Sequence, residues 1–445
     1  MAALRRRGLR VAAAKVGPDF IDPGYHAMAT GRPGRNLDSW ICGEEAIAGL
    51  AGRAAAGADV LVVEGVMGLF DGASGGGPDA STASVARLID APVVLVVDAS
   101  AMSRSVAAVV HGYATFESDV RLAGVVLNRV GSAGHADLLR EALAPLGVPV
   151  LGVLRRDDAL TWRDRHLGLV PVVEQPDAVR RSVKSLAAVV AGGIDLEGVV
   201  ALARSAPDRP VPAPALPEPV AQVRVAVAAG PAFSFVYPDN LEALEAAGAE
   251  LAPFDPLSDA HLPPDVGGVY VGGGFPEVYS AQLADNVTLL EDVRRRLTGG
   301  TVAWAECGGL LWLARSLDGR ALAGVVPADG RMSGRLTLGY RTATLRTDCP
   351  LAPAGATLRG HEFHYSEVSP AGDALVLRGR HGTGAGGFAD RRLLASYLHL
   401  HLGGDPSPAA RFVASAAAPR DRVGDAAVHG KPAQVRSGPA TVTGE

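Results

Sequence analysis

The chain has 445 residues, 48% of them hydrophobic and 20% charged, with a net charge of −5. That length accommodates two or three domains with cores of their own. The apolar content excludes wholesale disorder, and the mild acidity argues against general nucleic-acid binding. No apolar run approaches the ~20 residues of a membrane span, and the N-terminus lacks the apolar stretch of a signal peptide. Three scattered cysteines, Cys42, Cys307 and Cys349, form no CxxC pair, which suits a reducing cytoplasm. Of 42 basic residues only Lys15, Lys184 and Lys431 are lysines.

In chain order, residues 1–8 read as the back half of a helix ending at Gly8. Continuous apolar runs predict strands at Leu9–Ala14, Asp59–Val66, Ala91–Asp98, Leu122–Asn128 and Val148–Val153, each buried on both faces. Helical segments at Glu44–Ala56, Ser81–Ile89 and Ala136–Ala144 alternate with them. This β-α-β order predicts a doubly wound parallel sheet over residues 1–204. Residues 205–220 contain six prolines, so 205–222 reads as a semi-rigid linker. A second α/β domain is expected over 223–418, with strands from Val223, at Gly268–Val271 and Thr301–Ala305, and near Leu394–Leu398, and a short helix at Leu241–Ala247. Residues 419–445 lack periodicity and read as a disordered tail.

The apolar strand Thr301–Ala305 runs straight into Glu306-Cys307-Gly308-Gly309 and an apolar helical stretch. A lone cysteine is usually a core residue. One on a tight strand-to-helix turn with small neighbours is a nucleophile, and a helix N-terminus favours its thiolate. The run VYVGGGFPE (269–277) could bring backbone amides to an oxyanion, and ASYLHLHL (395–402) offers His399 and His401 as bases. In the first half, Lys15, Asp19 and Asp22 follow a strand end, where ligands of doubly wound folds collect. Their lysine and paired carboxylates suit a metal–phosphate centre. Glu64 ends the strand VLVVE, and Asp71 follows in a glycine-flanked loop.

On these residues the second half resembles a class I glutamine amidotransferase domain of flavodoxin-like fold. The chain as a whole resembles the cobyrinate (hydrogenobyrinate) a,c-diamide synthases. The resemblance rests on KVGPDFIDPGYH (15–26), VVEGVMGLFDG (62–72), LVVDASAMSRSVAA (95–108), GVVLNRVGS (124–132), RHLGLVP (165–171), FSFVYPDNLEALEAAGAEL (233–251), VGGGFPE (271–277), AECGGL (305–310), GHEFHYSE (360–367) and SYLHLH (396–401). It implies a P-loop-NTPase-like first domain, similar to dethiobiotin synthetase. There ATP and Mg²⁺ activate the a and c acetate carboxylates of a corrinoid as acyl phosphates, and ammonia from glutamine displaces phosphate. By the same resemblance Cys307 attacks glutamine, His399 transfers the proton, and Gly274 and Gly308 serve the oxyanion. Asp19 and Glu64 would hold magnesium, Asp22 and Asp71 would position substrate or phosphoryl groups, Lys15 would bind nucleotide, and Asn128 would contact adenine. Ordinary class I amidotransferases carry an acidic residue two positions after the histidine. Here that position is His401, which implies a Cys–His dyad. Arg32 and Arg35 are candidates to hold substrate carboxylates, although either reads more simply as a surface arginine. The expected partners are the corrinoid and, as a homo-oligomer, further copies of the chain, with neither nucleic acid nor membrane.

The family's phosphate loop, Gly-x-x-x-x-Gly-Lys-Ser/Thr, is not found, and none of the three lysines stands in such a context. The chain as written is therefore expected to lose most ATP binding and a central strand. Either the start was placed at an internal methionine or the synthetase site is impaired; intact motifs elsewhere favour the former. Nickel-sirohydrochlorin diamide synthases and a pseudoenzyme retaining only the glutaminase fold are the alternative readings. Cobyric acid synthases are disfavoured by KVGPDFIDPGYH.

Overall fold

A computed structural model describes residues 1–73, 80–157, 164–165, 168–207 and 211–419. The tail beyond 419, part of the proline-rich linker and part of the 165–171 motif lie outside the described residues. A short helix, Ala2–Arg6, leads into β1 (Val11–Val16). Then come β2 (Arg35–Leu37), β3 (Val60–Glu64), β4 (Val93–Asp98), β5 (Leu122–Val130) and β6 (Val150–Arg155), with helices between them. The predicted strands are thus present, shifted by one or two residues.

They form two three-stranded parallel sheets, β2-β1-β3 and β4-β5-β6. This corrects the expectation that every strand is buried on both faces. β1 is buried throughout, and β5 is buried over Gly124–Leu127. β3 and β4 are edge strands, so their side chains are only partly covered, and Val96 is 61% exposed.

The second half begins with β7 (Val223–Ala228), β8 (Ala249–Phe254), β9 (Val266–Val271) and β10 (Val302–Glu306). Next are β11 (Ala314–Leu317), β12 (Val326–Leu345), β13 (Thr357–Ser369), β14 (Phe388–Asp390), β15 (Leu393–Ser396) and β16 (His399–Leu400). One sheet has the order β8-β7-β9-β10-β15-β14, parallel except at its β14 edge. Apolar clusters cover it, one around Phe233 and Trp312, the other around Trp304 and Phe412. A second sheet is built on the long antiparallel pair β12–β13, with β16 added to β13. It was not foreseen, because its strands mix arginine, threonine and glycine with single apolar residues instead of forming apolar runs. β16 is the junction: it follows β15 of the first sheet within three residues and pairs with the second. Among the described residues no helix is long and apolar enough to cross a membrane.

Candidate active site

β10 is buried along its whole length and delivers Cys307 to a sharp turn at φ 49°, ψ −99°, before the helix Gly308–Leu313. Such a backbone costs about 1–3 kcal/mol and persists only where its surroundings impose it. Here the Cys307 N–H donates to Ser396 O at 2.7 Å, and Gly309 N–H donates to Gly272 O at 3.1 Å. The neighbouring Gly273 and Phe275 amides are likewise spent on backbone carbonyls. Gly274 N–H has no partner among the described hydrogen bonds, and Gly308 N–H is turned to the Cys307 sulfur. A Cβ on Gly308 would fall 3.1 Å from Gly274 N, so a side chain there would crowd the approach of these two amides.

Cys307, Gly308, Gly274 and His399 line one cavity of about 110 Å³. Residues 18–21 of the first half close its other side. The structure thereby separates the two candidate histidines. His399 faces the cavity, whereas His401 turns away, its Nδ1 lying 3.2 Å from Cys42 Sγ and accepting Gly403 N–H at 3.0 Å. Opposite His399 in the β13–β16 pairing is His361, its ring 4.9 Å away and inclined by 17°.

The segment carrying His399 is clamped from beneath. The buried Glu306 carboxyl accepts Leu400 N–H at 2.9 Å and the Tyr270 hydroxyl at 3.0 Å. Asn240 donates to Leu400 O at 2.8 Å and accepts Leu402 N–H at 2.8 Å. Burial raises Glu306 to about 8, so it is a neutral acid at pH 7. Burial, and next Glu277, push the Cys307 thiol up. Burial, and next His364, lower His399 to about 3. The resting pair is therefore a thiol and a neutral imidazole. Only six helical residues follow Cys307, and burial acts against the thiolate that their N-terminus would favour.

The predicted charged residues of the first half divide into two groups. The β1–β3 register sets Lys15 beside Glu64. Lys15 Nζ lies 2.7 Å from Asp22 Oδ2, 3.2 Å from Glu64 Oε1 and 3.1 Å from Gly65 O. His26 Nε2 is 2.5 Å from Glu64 Oε2. Burial opposes charge on Lys15, but Asp22 and Glu64 outweigh it and its pKa rises. Burial likewise opposes charge on Glu64, and His26 and Lys15 outweigh it, so Glu64 is lowered. Asp19 is raised by burial and then by Asp22; its Oδ1 accepts the Ile21 and Asp22 amides at 2.8 and 2.9 Å. Asp71 and Asn128 stand apart from this cluster. Asp71 accepts Gly68 N–H in its own loop, and Asn128, on the other sheet, accepts Arg129 N–H. Among the described residues no group of three or more His, Cys, Asp or Glu side chains gathers as a metal cage.

Sequence reasoning missed the interface between the halves. Arg35 is not a surface residue. Its side chain, 13% exposed, bonds Asp239 at 2.9 Å and Glu242 at 2.5 Å. Arg32 instead donates to Ala56 O. Tyr340 donates to the buried Asp38 at 3.0 Å and stacks on Trp40. The motifs FSFVYPDN and GHEFHYSE carried the only available signal, since they supply Phe235 and Tyr237, and His361, to this junction.

The sequence pattern of the CobQ/CobB/MinD/ParA nucleotide binding domain matches residues 1–170, and that of the CobB/CobQ-like glutamine amidotransferase domain matches residues 224–407. A protein of Streptomyces coelicolor named hydrogenobyrinate a,c-diamide synthase is 49% identical, the match covering 93% of this chain and 92% of that one. One of the same name from Thermobifida fusca is 47% identical over 94% and 93% of the two chains. A protein of Syntrophotalea carbinolica named cobyrinate a,c-diamide synthase is 43% identical over 93% of each.

Proposed function

The chain belongs to the hydrogenobyrinate and cobyrinate a,c-diamide synthase family, and we propose that it amidates the a and c acetate carboxylates of such a corrinoid with nitrogen released from glutamine at Cys307. As a member of that family it is a glutamine-dependent amidating ligase that uses ATP. The observation that carries the finer reading is the single cavity holding Cys307, His399 and residues 18–21 of the other half.

Glutamine enters that cavity with its side-chain carbonyl oxygen toward the Gly274 and Gly308 amides. Their fixed dipoles match the charge that develops on the oxygen during attack. The Cys307 thiol is neutral, so its proton must leave as the carbon–sulfur bond forms. His399, kept neutral by burial, accepts that proton and returns it to the departing nitrogen as ammonia leaves. Water then releases glutamate from the thioester.

In the first half a carboxylate of the ring attacks the terminal phosphoryl group of ATP, and ADP leaves. Ammonia adds to the resulting acyl phosphate, and phosphate departs. Lys15, charged and held between Asp22 and Glu64, is placed to meet phosphate oxygens. The donor chemistry suits a hard cation, because magnesium takes one or two carboxylates and completes its shell with water and phosphate. Asp19 and Glu64 would hold it. Bound magnesium neutralises charge on the phosphates. Asp22 and Asp71 would position substrate or phosphoryl groups, and Asn128 would meet adenine. Three free cysteines fit a cytoplasmic setting.

The test is an assay of the chain, as given and extended through its upstream reading frame, with glutamine, ATP and magnesium on hydrogenobyrinate and on cobyrinate, read by mass spectrometry. Two successive carboxylate-to-amide changes on at least one ring are expected. Glutamate release without any change to either ring would refute the reading.

A further inference from the structure

Among the described residues no polar group holds the His399 ring at its Nδ1. Its Nδ1 is buried without a hydrogen-bond partner among the described residues, and His401 stands where an orienting acid would be. Its ring instead packs against two neighbouring rings that also approach each other. His361 stacks on it at 4.9 Å, and Phe20 packs against it at 5.1 Å with the planes inclined by 48°. A Cβ on Gly273 would fall 2.4 Å from His399 Cε1, so the backbone closes a further side.

Phe20 is the one member of this cage that comes from the synthetase half. It stacks with Phe235 at 5.3 Å, meets Tyr237 at 4.4 Å and approaches His361 at 5.8 Å. Its backbone is equally fixed. Asp19 Oδ1 accepts the amides of Ile21 and Asp22, bridging across Phe20. The buried Asn36 side chain donates to Gly17 O at 2.9 Å and Asp19 O at 2.8 Å. The loop that carries Asp19 and Asp22 toward the Lys15 cluster therefore also carries a ring into the glutaminase.

We propose that Phe20 is a positioning residue of the glutaminase: its ring holds the His399 imidazole in register with Cys307, so that the synthetase loop and the base serving Cys307 move as one unit. Aromatic faces fix a neighbouring ring by shape and quadrupole without supplying or taking a proton. A base held this way follows the loop: ligands that shift Asp19 or Asp22 reach His399 through one residue. This inference rests on the reading of Cys307 and His399 as the glutamine-hydrolysing pair.

The experiment measures glutamate release from glutamine by the full chain carrying Phe20→Ala, Phe20→Leu or Cys307→Ala. A lost positioning ring lowers kcat and spares binding, so Phe20→Ala is expected to reduce kcat about tenfold or more with KM changed less than about threefold. Phe20→Leu, which keeps bulk without the ring, is expected to fall between Phe20→Ala and the parent. Parental kcat in Phe20→Ala, or a loss entirely in KM, overturns the proposal. If Phe20→Ala fails to melt cooperatively, Phe20→Leu decides: a lower kcat at unchanged KM supports the proposal and parental kcat overturns it. Cys307→Ala tests the underlying reading separately. Loss of glutamate release in that variant alongside parental kcat in Phe20→Ala removes only the role of Phe20. Retained release in Cys307→Ala removes both.

Discussion

The two halves solve opposite problems with the same kind of strand. β10 ends in a closed turn: its residues are all buried, and the cysteine that follows is held by backbone bonds, glycine contacts and a clamped histidine segment. β1 and β3 end in a charged, partly open cluster where Lys15 bridges two carboxylates and the Glu64 side chain is 45% exposed. Covalent attack on an amide needs dipoles fixed beforehand. Activation of a polyanionic substrate with ATP needs charges that can still exchange partners. The contrast teaches that strand-end position alone does not define a site; burial decides which chemistry it can perform.

The contrast breaks most visibly through Cys307. Cys307→Ser is expected to cut glutamate release about a thousandfold or more while amidation driven by ammonium salts survives. Equal loss with both nitrogen sources would merge the two sites. The converse variant, Lys15→Met, is expected to lower amidation about a hundredfold from either nitrogen source and to lower glutamate release far less. A matching fall in glutamate release would show that the charged cluster also serves Cys307.

The next effect falls on the join. Arg35→Met leaves the buried Asp239 carboxylate only the more distant Arg53, 3.9 Å away, and the expected cost is on the order of 3 kcal/mol, read from urea unfolding. An unchanged midpoint would mean that Arg35 does not tie the halves together. The smallest expected effect is an absence of change. With His399 lowered to about 3 and the Cys307 thiol raised, both groups stay neutral from pH 5 to 8, and protonation of His399 intrudes only as pH falls toward its lowered value. A kcat/KM profile for glutamate release should therefore show no limb near 6.5; a limb there would mean that the imidazole is solvated.

Much of the closed site was legible, because one contiguous segment encodes it: an apolar strand, then Glu306-Cys307-Gly308-Gly309. The choice of His399 over His401 was not legible from residue types alone, since both lie on one short segment and only the pairing of β16 with β13 turns them apart. Arg35 was misread because its acidic partners lie more than 200 residues away, and no local pattern announces such a contact. Phe20 was quoted inside a motif without a role, since an aromatic residue between two aspartates gives no hint of the ring it will touch. The partial exposure of β3 and β4 was missed because a Val-rich run reads alike at the centre and at the edge of a sheet.

The central claim is that the nitrogen released from glutamine at Cys307 becomes the nitrogen of the ring amides. It is tested most directly with glutamine labelled with ¹⁵N at its side-chain amide, supplied with saturating ATP and no added ammonium. The ring amides should carry the label at the enrichment of the glutamine. Unlabelled ring amides would contradict the account.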